Sequence, residues 1–160
     1  MLRNKNTAIL AAIVFCFFST PTAYAKSGHA FGLRAGLGQD PDQFVVGAFA
    51  VMGRFGPQAR VVPSVDIGFG DNATTTTLNL DLRWYLISLP ESGVKLYGSA
   101  GPTLAFNSGD KGGSDSELGL SLTAGARIPM RGAKRYNIEA RFGFGDIPDF
   151  RIMFGVLFGK

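Results

Sequence analysis

The chain alternates between apolar and polar residues in eight segments, separated by short clusters of Gly, Pro, Asp, Asn and Ser. A period of two places successive side chains on opposite faces of a β-strand, and no helical period competes with it after the first 25 residues. Most of these segments exceed the usual strand of about five or six residues, which indicates strands that cross a thick layer. The predicted strands cover residues 30–38, 44–55, 60–70, 74–87, 94–106, 117–128, 135–145 and 150–159.

The fourth segment shows the alternation most clearly. Leu80, Leu82 and Trp84 share one face, whereas Asp81 and Arg83 share the other. The third, sixth, seventh and eighth segments follow the same rule. The second segment is apolar on both faces, so its length and its glycines alone support a strand there.

Two prolines fall on the apolar face inside predicted strands. Pro63 lies in the third segment and Pro102 in the fifth. Proline has no N–H to donate to a strand ladder and is confined to strand ends, edges and bulges. We therefore expect a bulge or a strand end near each proline.

The polar face decides between two kinds of barrel that share this alternation. A soluble barrel has an apolar interior, and a membrane barrel has an apolar exterior. Here the polar face is mainly Gly, Ser, Thr and Ala with isolated charges, and the apolar face carries no charge in the clearly alternating segments. A charge facing lipid costs about 2 to 4 kcal/mol near the midplane, so this pattern favours the membrane barrel. A soluble periplasmic carrier barrel for an apolar ligand is the alternative.

The first 25 residues have the organisation of a secretory signal. A basic start precedes an apolar stretch at residues 8–18, and a small-x-small cleavage site ends at Ala25. An uncleaved anchor helix is disfavoured, because the stretch is short and Pro21 interrupts it. The sequence thus predicts a cleaved signal peptide at residues 1–25 and one exported domain at residues 26–160.

Composition removes several classes of site. Cys16 is the one cysteine and His29 the one histidine, so no disulfide framework, Cys/His metal cluster or Cys/His dyad can form outside the leader, which contains Cys16. Of the 16 basic residues two lie in the leader, which leaves 14 against 12 acidic residues and gives no support to nucleic-acid binding. We predict no catalytic residues, no cofactor and no metal ligands.

The strand pattern over residues 30–160 resembles the small outer-membrane β-barrel family of Gram-negative bacteria. The resemblance implies an all-β, eight-stranded antiparallel up-and-down transmembrane β-barrel of porin-like type, placed in the cell outer membrane with both termini in the periplasm. It also implies outer-membrane lipid, lipopolysaccharide and the barrel-assembly machinery as partners. Family members usually end on an aromatic residue, whereas here Gly159 and Lys160 follow Phe158.

With both termini in the periplasm, charges separate along the barrel axis. Seven aspartates fall at the outer end: Asp40, Asp42, Asp71, Asp110, Asp115, Asp146 and Asp149. Basic residues gather at the periplasmic rim: Lys26, Arg54, Arg60, Arg131, Lys134, Arg135 and Lys160. Aspartate favours tight turns, and the alternative is a carboxylate rim that binds Ca²⁺ or Mg²⁺ and so associates with lipopolysaccharide.

The remaining charges are predicted to point into the lumen: Arg34, Arg83, Lys95, Arg127, Arg141 and Arg151, with Asp66, Asp81, Glu117 and Glu139. Counting from the outer turns places Arg34, Asp66, Glu139 and Arg141 at similar heights, with Asp81 slightly deeper. Because a lone charge is costly in a narrow interior, we expect these five residues to form one hydrogen-bonded network with a structural role.

Three functions fit these observations. The first is a non-enzymatic barrel with a filled, salt-bridged lumen and a structural or surface-interaction role in the cell envelope. The second is a lipid-modifying outer-membrane enzyme, which needs a base beside its nucleophile. His29 lies before the first strand, at the periplasmic end, which disfavours this function. The third is the soluble carrier.

Overall fold

The computed structural model describes residues 30–39, 42–70, 73–109 and 114–159, and shows eight antiparallel strands closed into one barrel. Each strand pairs with the next along the chain, and β8 pairs with β1 to close the sheet. This confirms the predicted fold class, and every strand begins and ends within three residues of its predicted bounds. The strands are β1 (Ala30–Gln39), β2 (Gln43–Phe55), β3 (Ala59–Phe69), β4 (Ala73–Ser88), β5 (Lys95–Gly109), β6 (Ser114–Pro129), β7 (Arg135–Phe144) and β8 (Phe150–Phe158).

The two ends of the barrel differ in their connections. We call the end where β1 begins and β8 ends the inner end, and the opposite end the outer end. Three short turns join strands at the inner end, and each contains a glycine with positive φ: Gly56 at 81°, Gly93 at 67° and Gly132 at 83°. Glycine adopts this left-handed conformation without the strain of a Cβ atom, so these turns stay tight.

The outward face of the barrel is apolar, as the alternation predicts. Leu80, Trp84 and Leu86 on β4 are exposed, as are Leu118 and Leu120 on β6. No described side chain on the outward face of a strand carries a charge. Along β6 the apolar outward positions run from residue 118 to residue 128, about 33 Å of strand and about 25 Å of height at the usual tilt, which matches the apolar band of outer-membrane barrels.

Aromatic residues pack in pairs near both ends of this outward face. Phe31 and Phe158 stack near the inner end with ring centroids 5.3 Å apart. Phe142 and Phe150 pack near the outer end at 5.0 Å. Aromatic girdles at the two interfaces are typical of membrane barrels. Within the described part of the chain, no helix is long and apolar enough to span a membrane.

The expected interruption at Pro102 is wrong, because the register is the same on both sides of this proline. The expectation at Pro63 is met in part, because the β2–β3 register shifts opposite Val61, two residues away. Pro63 itself pairs with Leu80 and Pro102 with Leu120, and both strands continue through their prolines. A proline loses a donor toward one neighbouring strand only, and the ladder toward the other neighbour holds it in line.

Candidate functional site

The described interior of the barrel contains five buried arginines and three buried carboxylates. Asp66 and Arg83 are 0% exposed, so water does not reach them. Burying a charge is costly unless it is paired and hydrogen-bonded, so the partners of these groups decide whether the interior is stable. The eight residues are Arg34, Asp66, Asp81, Arg83, Arg127, Glu139, Arg141 and Arg151.

Arg34 joins carboxylates from two other strands. Its Nε donates to Asp66 Oδ1 at 2.8 Å and its Nη2 to Asp66 Oδ2 at 2.7 Å, a bidentate pair. Its Nη1 donates to Glu139 Oε2 at 2.6 Å. Nη2 also donates to Ser64 Oγ at 2.8 Å. Arg34 therefore ties β1 to β3 on one side and, past β8, to β7 on the other.

Glu139 accepts hydrogen bonds from three buried side chains. Besides Arg34, Arg83 Nη2 lies 2.5 Å from Glu139 Oε1, and the Tyr97 hydroxyl donates to the same oxygen at 2.7 Å. The Arg83 guanidinium also lies over the Tyr97 ring, 4.0 Å from its centroid, in a cation–π contact. Four strands, β1, β4, β5 and β7, thus meet at one carboxylate.

A second ion pair joins Arg141 to Asp81 through Arg141 Nη2 and Asp81 Oδ2. Neutral side chains link this pair to the first group. Asn79 Nδ2 donates to Asp66 Oδ2 at 3.0 Å, the Thr103 hydroxyl donates to Asn79 Oδ1 at 2.8 Å, and Ser121 Oγ lies 3.1 Å from Thr103 Oγ1 and 3.4 Å from Asp81 Oδ1. The charged residues of this continuous cluster, which we call the lumen network, are Arg34, Asp66, Asp81, Arg83, Glu139 and Arg141.

Glycines make room for the network at two places. Gly47 lies between Arg34 and Asp66 in the sheet register, and a Cβ there would come 2.0 Å from Asp66 Oδ1. A Cβ on Gly125 would come 2.4 Å from the Tyr97 hydroxyl. The absence of a side chain at these positions lets the long polar side chains extend across neighbouring strands.

The structure brings the five predicted residues together in one cluster and adds residues to it. Tyr97 was not predicted as a member, although it shares the inward parity of β5 with Thr103. Four of the ten predicted lumen charges are not part of the lumen network. Arg127 and Arg151 are buried in the lumen beside it, and the other two lie toward its ends. Lys95 is exposed at the inner end, and Glu117 is half-buried near the outer end, where it accepts from Asn107 at 2.9 Å.

Apolar side chains from β1, β2, β3 and β8 form a cluster in the lumen near its inner end. This region also resolves the ambiguity of β2, because Phe49 and Val51 point inward. The Arg34 guanidinium lies 5.4 Å from the Phe49 ring centroid, so the lumen network rests on this layer. The apolar cluster consists of Ala30, Phe49, Val51, Val62 and Leu157.

The β7–β8 connection closes the outer end. Ile147 is 5% exposed, although it lies in a surface connection. Gly143 N donates to Asp149 O at 2.8 Å, which holds the connection against β7. A Cβ on Gly119 would come 2.9 Å from Ile147, so this glycine leaves the space that the isoleucine fills. Ile147 therefore covers the outer side of the lumen network.

Several predicted features lie outside the described residues: the leader with Cys16, His29, and the aspartates Asp40, Asp71 and Asp110. Among the residues that the structure describes, no group of three or more His, Cys, Asp or Glu side chains is arranged to hold a metal ion.

Known proteins resemble this chain in structure but not in sequence. No protein-family model matches the chain, and no curated protein matches it in sequence. The N-terminal β-barrel domain of OprF from Pseudomonas aeruginosa is similar, with 14% identity and a TM-score of 0.65 over 82% of this chain and 97% of that one. Neisserial surface protein A (NspA) is similar too, with 14% identity and a TM-score of 0.66 over 84% of this chain and 98% of that one.

A de novo designed protein, TMB2.3, aligns with 12% identity and a TM-score of 0.51 over 82% of this chain and 93% of its own. At such identities the likeness concerns the fold. The closed eight-stranded ladder and the uncharged outward face of this chain indicate the same fold as the likeness to these two natural barrels. The chain has the fold of the small eight-stranded outer-membrane β-barrels, the family that its alternating strands resemble.

Proposed function

We propose that this protein is a non-enzymatic integral protein of the cell outer membrane, with a structural or surface-interaction role in the envelope. In this proposal residues 1–25 direct export and are removed, and residues 26–160 form the barrel. The observation that carries it is the uncharged apolar outward face around a buried ionic interior. A soluble barrel has the opposite distribution, with an apolar interior and a charged exterior, so the arrangement seen here suits a barrel surrounded by lipid.

The interior supports a closed barrel without a continuous aqueous path. The apolar cluster fills the inner end, the lumen network fills the middle, and Ile147 covers the outer side. An eight-stranded barrel has an interior that side chains can fill completely. The ion pairs tie together strands that are not neighbours in the sheet, so they hold the cross-section of the barrel as well as its register.

The two alternatives have less support. A carrier for an apolar ligand needs an apolar cavity of roughly 300 Å³ or more, whereas the buried residues of the described lumen are mostly polar or charged and a cavity among them measures about 10 Å³. A lipid-modifying enzyme needs a base beside its nucleophile. The chain has one histidine, His29, which comes one residue before β1 in the sequence and lies outside the described residues, so the structure gives this alternative no support.

The proposed partners follow from the proposed location. Outer-membrane lipid would contact the apolar face, and lipopolysaccharide would surround the outer end. The barrel-assembly machinery would insert the chain after export. Short outer connections leave little surface beyond the membrane for a large protein partner.

We expect the protein to fractionate with outer membranes and to begin at Lys26. A sample kept unheated in detergent should migrate faster in electrophoresis than a boiled one, because the closed ladder resists detergent and stays compact. Membrane fractionation, N-terminal sequencing and paired heated and unheated lanes measure this. Recovery as a soluble periplasmic protein would contradict the proposal.

We also expect no appreciable conductance, because the lumen is filled along its length. Planar-bilayer recordings of the purified barrel should show the baseline current of the lipid alone. A porin of known conductance, reconstituted in the same lipid, is the positive control. Stable and reproducible channels of porin size would mean that the lumen is open.

A further inference from the structure

A small cavity lies between the lumen network and the β7–β8 connection. It measures about 10 Å³ and its lining includes Thr77, Ser121, Arg141, Ile147 and Arg151. Space of this size holds about one water-sized particle. Polyatomic groups such as phosphate or sulfate are several times larger than this space, whereas a water molecule fits it and a chloride ion fits it after a small outward shift of the flexible arginine side chains.

Two arginines meet at this cavity. Arg141 and Arg151 are direct partners in the β7–β8 ladder, and both are buried, at 4% and 3% exposure. Like charges directly opposite each other destabilise a strand pair. Asp81 pairs with Arg141, but the ion-pair partner found for Arg151 among the described residues is Asp66, at 3.9 Å. The protein thus compensates Arg151 only weakly, since Asp66 also accepts both bonds of the bidentate pair with Arg34.

Among the residues that line the cavity, the side-chain polar atoms without a partner are all donors. Arg151 Nη1 donates to the Thr77 hydroxyl at 2.9 Å, but Arg151 Nε and Nη2 and Arg141 Nε have no partner among the described residues. The polar side-chain atoms of the other lining residues are hydrogen-bonded. Free donors without a free acceptor favour an occupant that accepts hydrogen bonds and carries negative charge.

The charge balance of the interior points the same way. Five buried arginines face three buried carboxylates in the described lumen, an excess of two positive charges. One excess charge belongs to Arg127, which lies near the inner end with its guanidinium over the Tyr85 ring at 5.1 Å. The other is Arg151, which is enclosed beneath Ile147. We infer that this cavity is a halide site, in which Arg141 and Arg151 bind one chloride ion.

Crystals grown or soaked in sodium bromide test the site directly in the unmodified protein. Bromide replaces chloride and scatters anomalously, so we expect an anomalous difference peak between the guanidinium groups of Arg141 and Arg151. A water molecule at that position with no bromide peak would overturn the inference.

Unfolding in lipid vesicles gives a second readout, with chloride replacing gluconate at constant ionic strength. Above the dissociation constant, each tenfold rise in chloride should multiply the folded-to-unfolded ratio about tenfold. Arg151→Gln should lose this dependence. Arg127→Gln is the matched control, because it removes an equally buried charge far from the cavity and should keep the dependence. An equal chloride effect in both variants, or none in the parent protein, would refute the site.

Discussion

Glu139→Gln is expected to lower the free energy of unfolding by about 3 to 5 kcal/mol, because it leaves buried arginines without their counter-charge. Glu139 accepts from Arg34 at 2.6 Å, from Arg83 at 2.5 Å and from Tyr97 at 2.7 Å. Glutamine keeps the size of the side chain, so the loss reports charge rather than a cavity. Urea unfolding in lipid vesicles measures the change.

The matched control is Asp42→Asn, which removes one carboxylate charge at an exposed position of the outer end. Its cost should stay within about 0.5 kcal/mol, as for most surface substitutions. If Glu139→Gln lowered the free energy of unfolding as little as this control, then the lumen network would not stabilise the barrel. The assignment of inward-facing and outward-facing side chains would then be wrong.

Leu122→Arg is expected to lower the free energy of unfolding by about 2 to 4 kcal/mol, because it places a charge near the middle of the lipid-facing band. Leu122 is 49% exposed on the outward face of β6, so the arginine displaces no packed core. The cost therefore measures the surrounding medium. Unfolding in vesicles of defined lipid thickness gives the value.

Leu118→Arg is the internal control on the same strand and the same face. Leu118 lies nearer the outer end, at the edge of the apolar band, so the same charge should cost about 0 to 1 kcal/mol there. The difference in cost between Leu122→Arg and Leu118→Arg should be smaller in detergent micelles than in vesicles. Equal and small costs at both positions in vesicles would show that β6 does not face lipid.

The strands could be predicted because their alternation is a local property of the chain. Each inward or outward position follows from its neighbours, and this held for β4, where Asp81 and Arg83 point inward and Leu80 outward. The alternation did not predict which face of β2 points into the lumen, because both faces of this strand are apolar. There the packing of Phe49 against Arg34 decides which face is inside.

The prolines show a different limit. Local rules treat proline as a break in a ladder, but Pro63 and Pro102 remain within continuous strands. The N–H that each proline lacks would have pointed to one neighbouring strand, so pairing with the other neighbouring strand is unaffected. The closed sheet supplies that neighbour on both sides of every strand, so the cost of one missing donor does not interrupt the strand.

The sequence by itself determined the number of strands, their bounds and the faces that carry charge, because a period of two needs no knowledge of distant contacts. It also brought Arg34, Asp66 and Glu139 to similar heights through counting from the turns. Only the tertiary structure decided which groups meet across the lumen, such as Arg83 with Glu139, and which remain weakly paired, such as Arg151. Parity tells whether a side chain points inward, but its reach, its partner and the space beside it depend on how the closed barrel arranges strands that are not neighbours in the sheet.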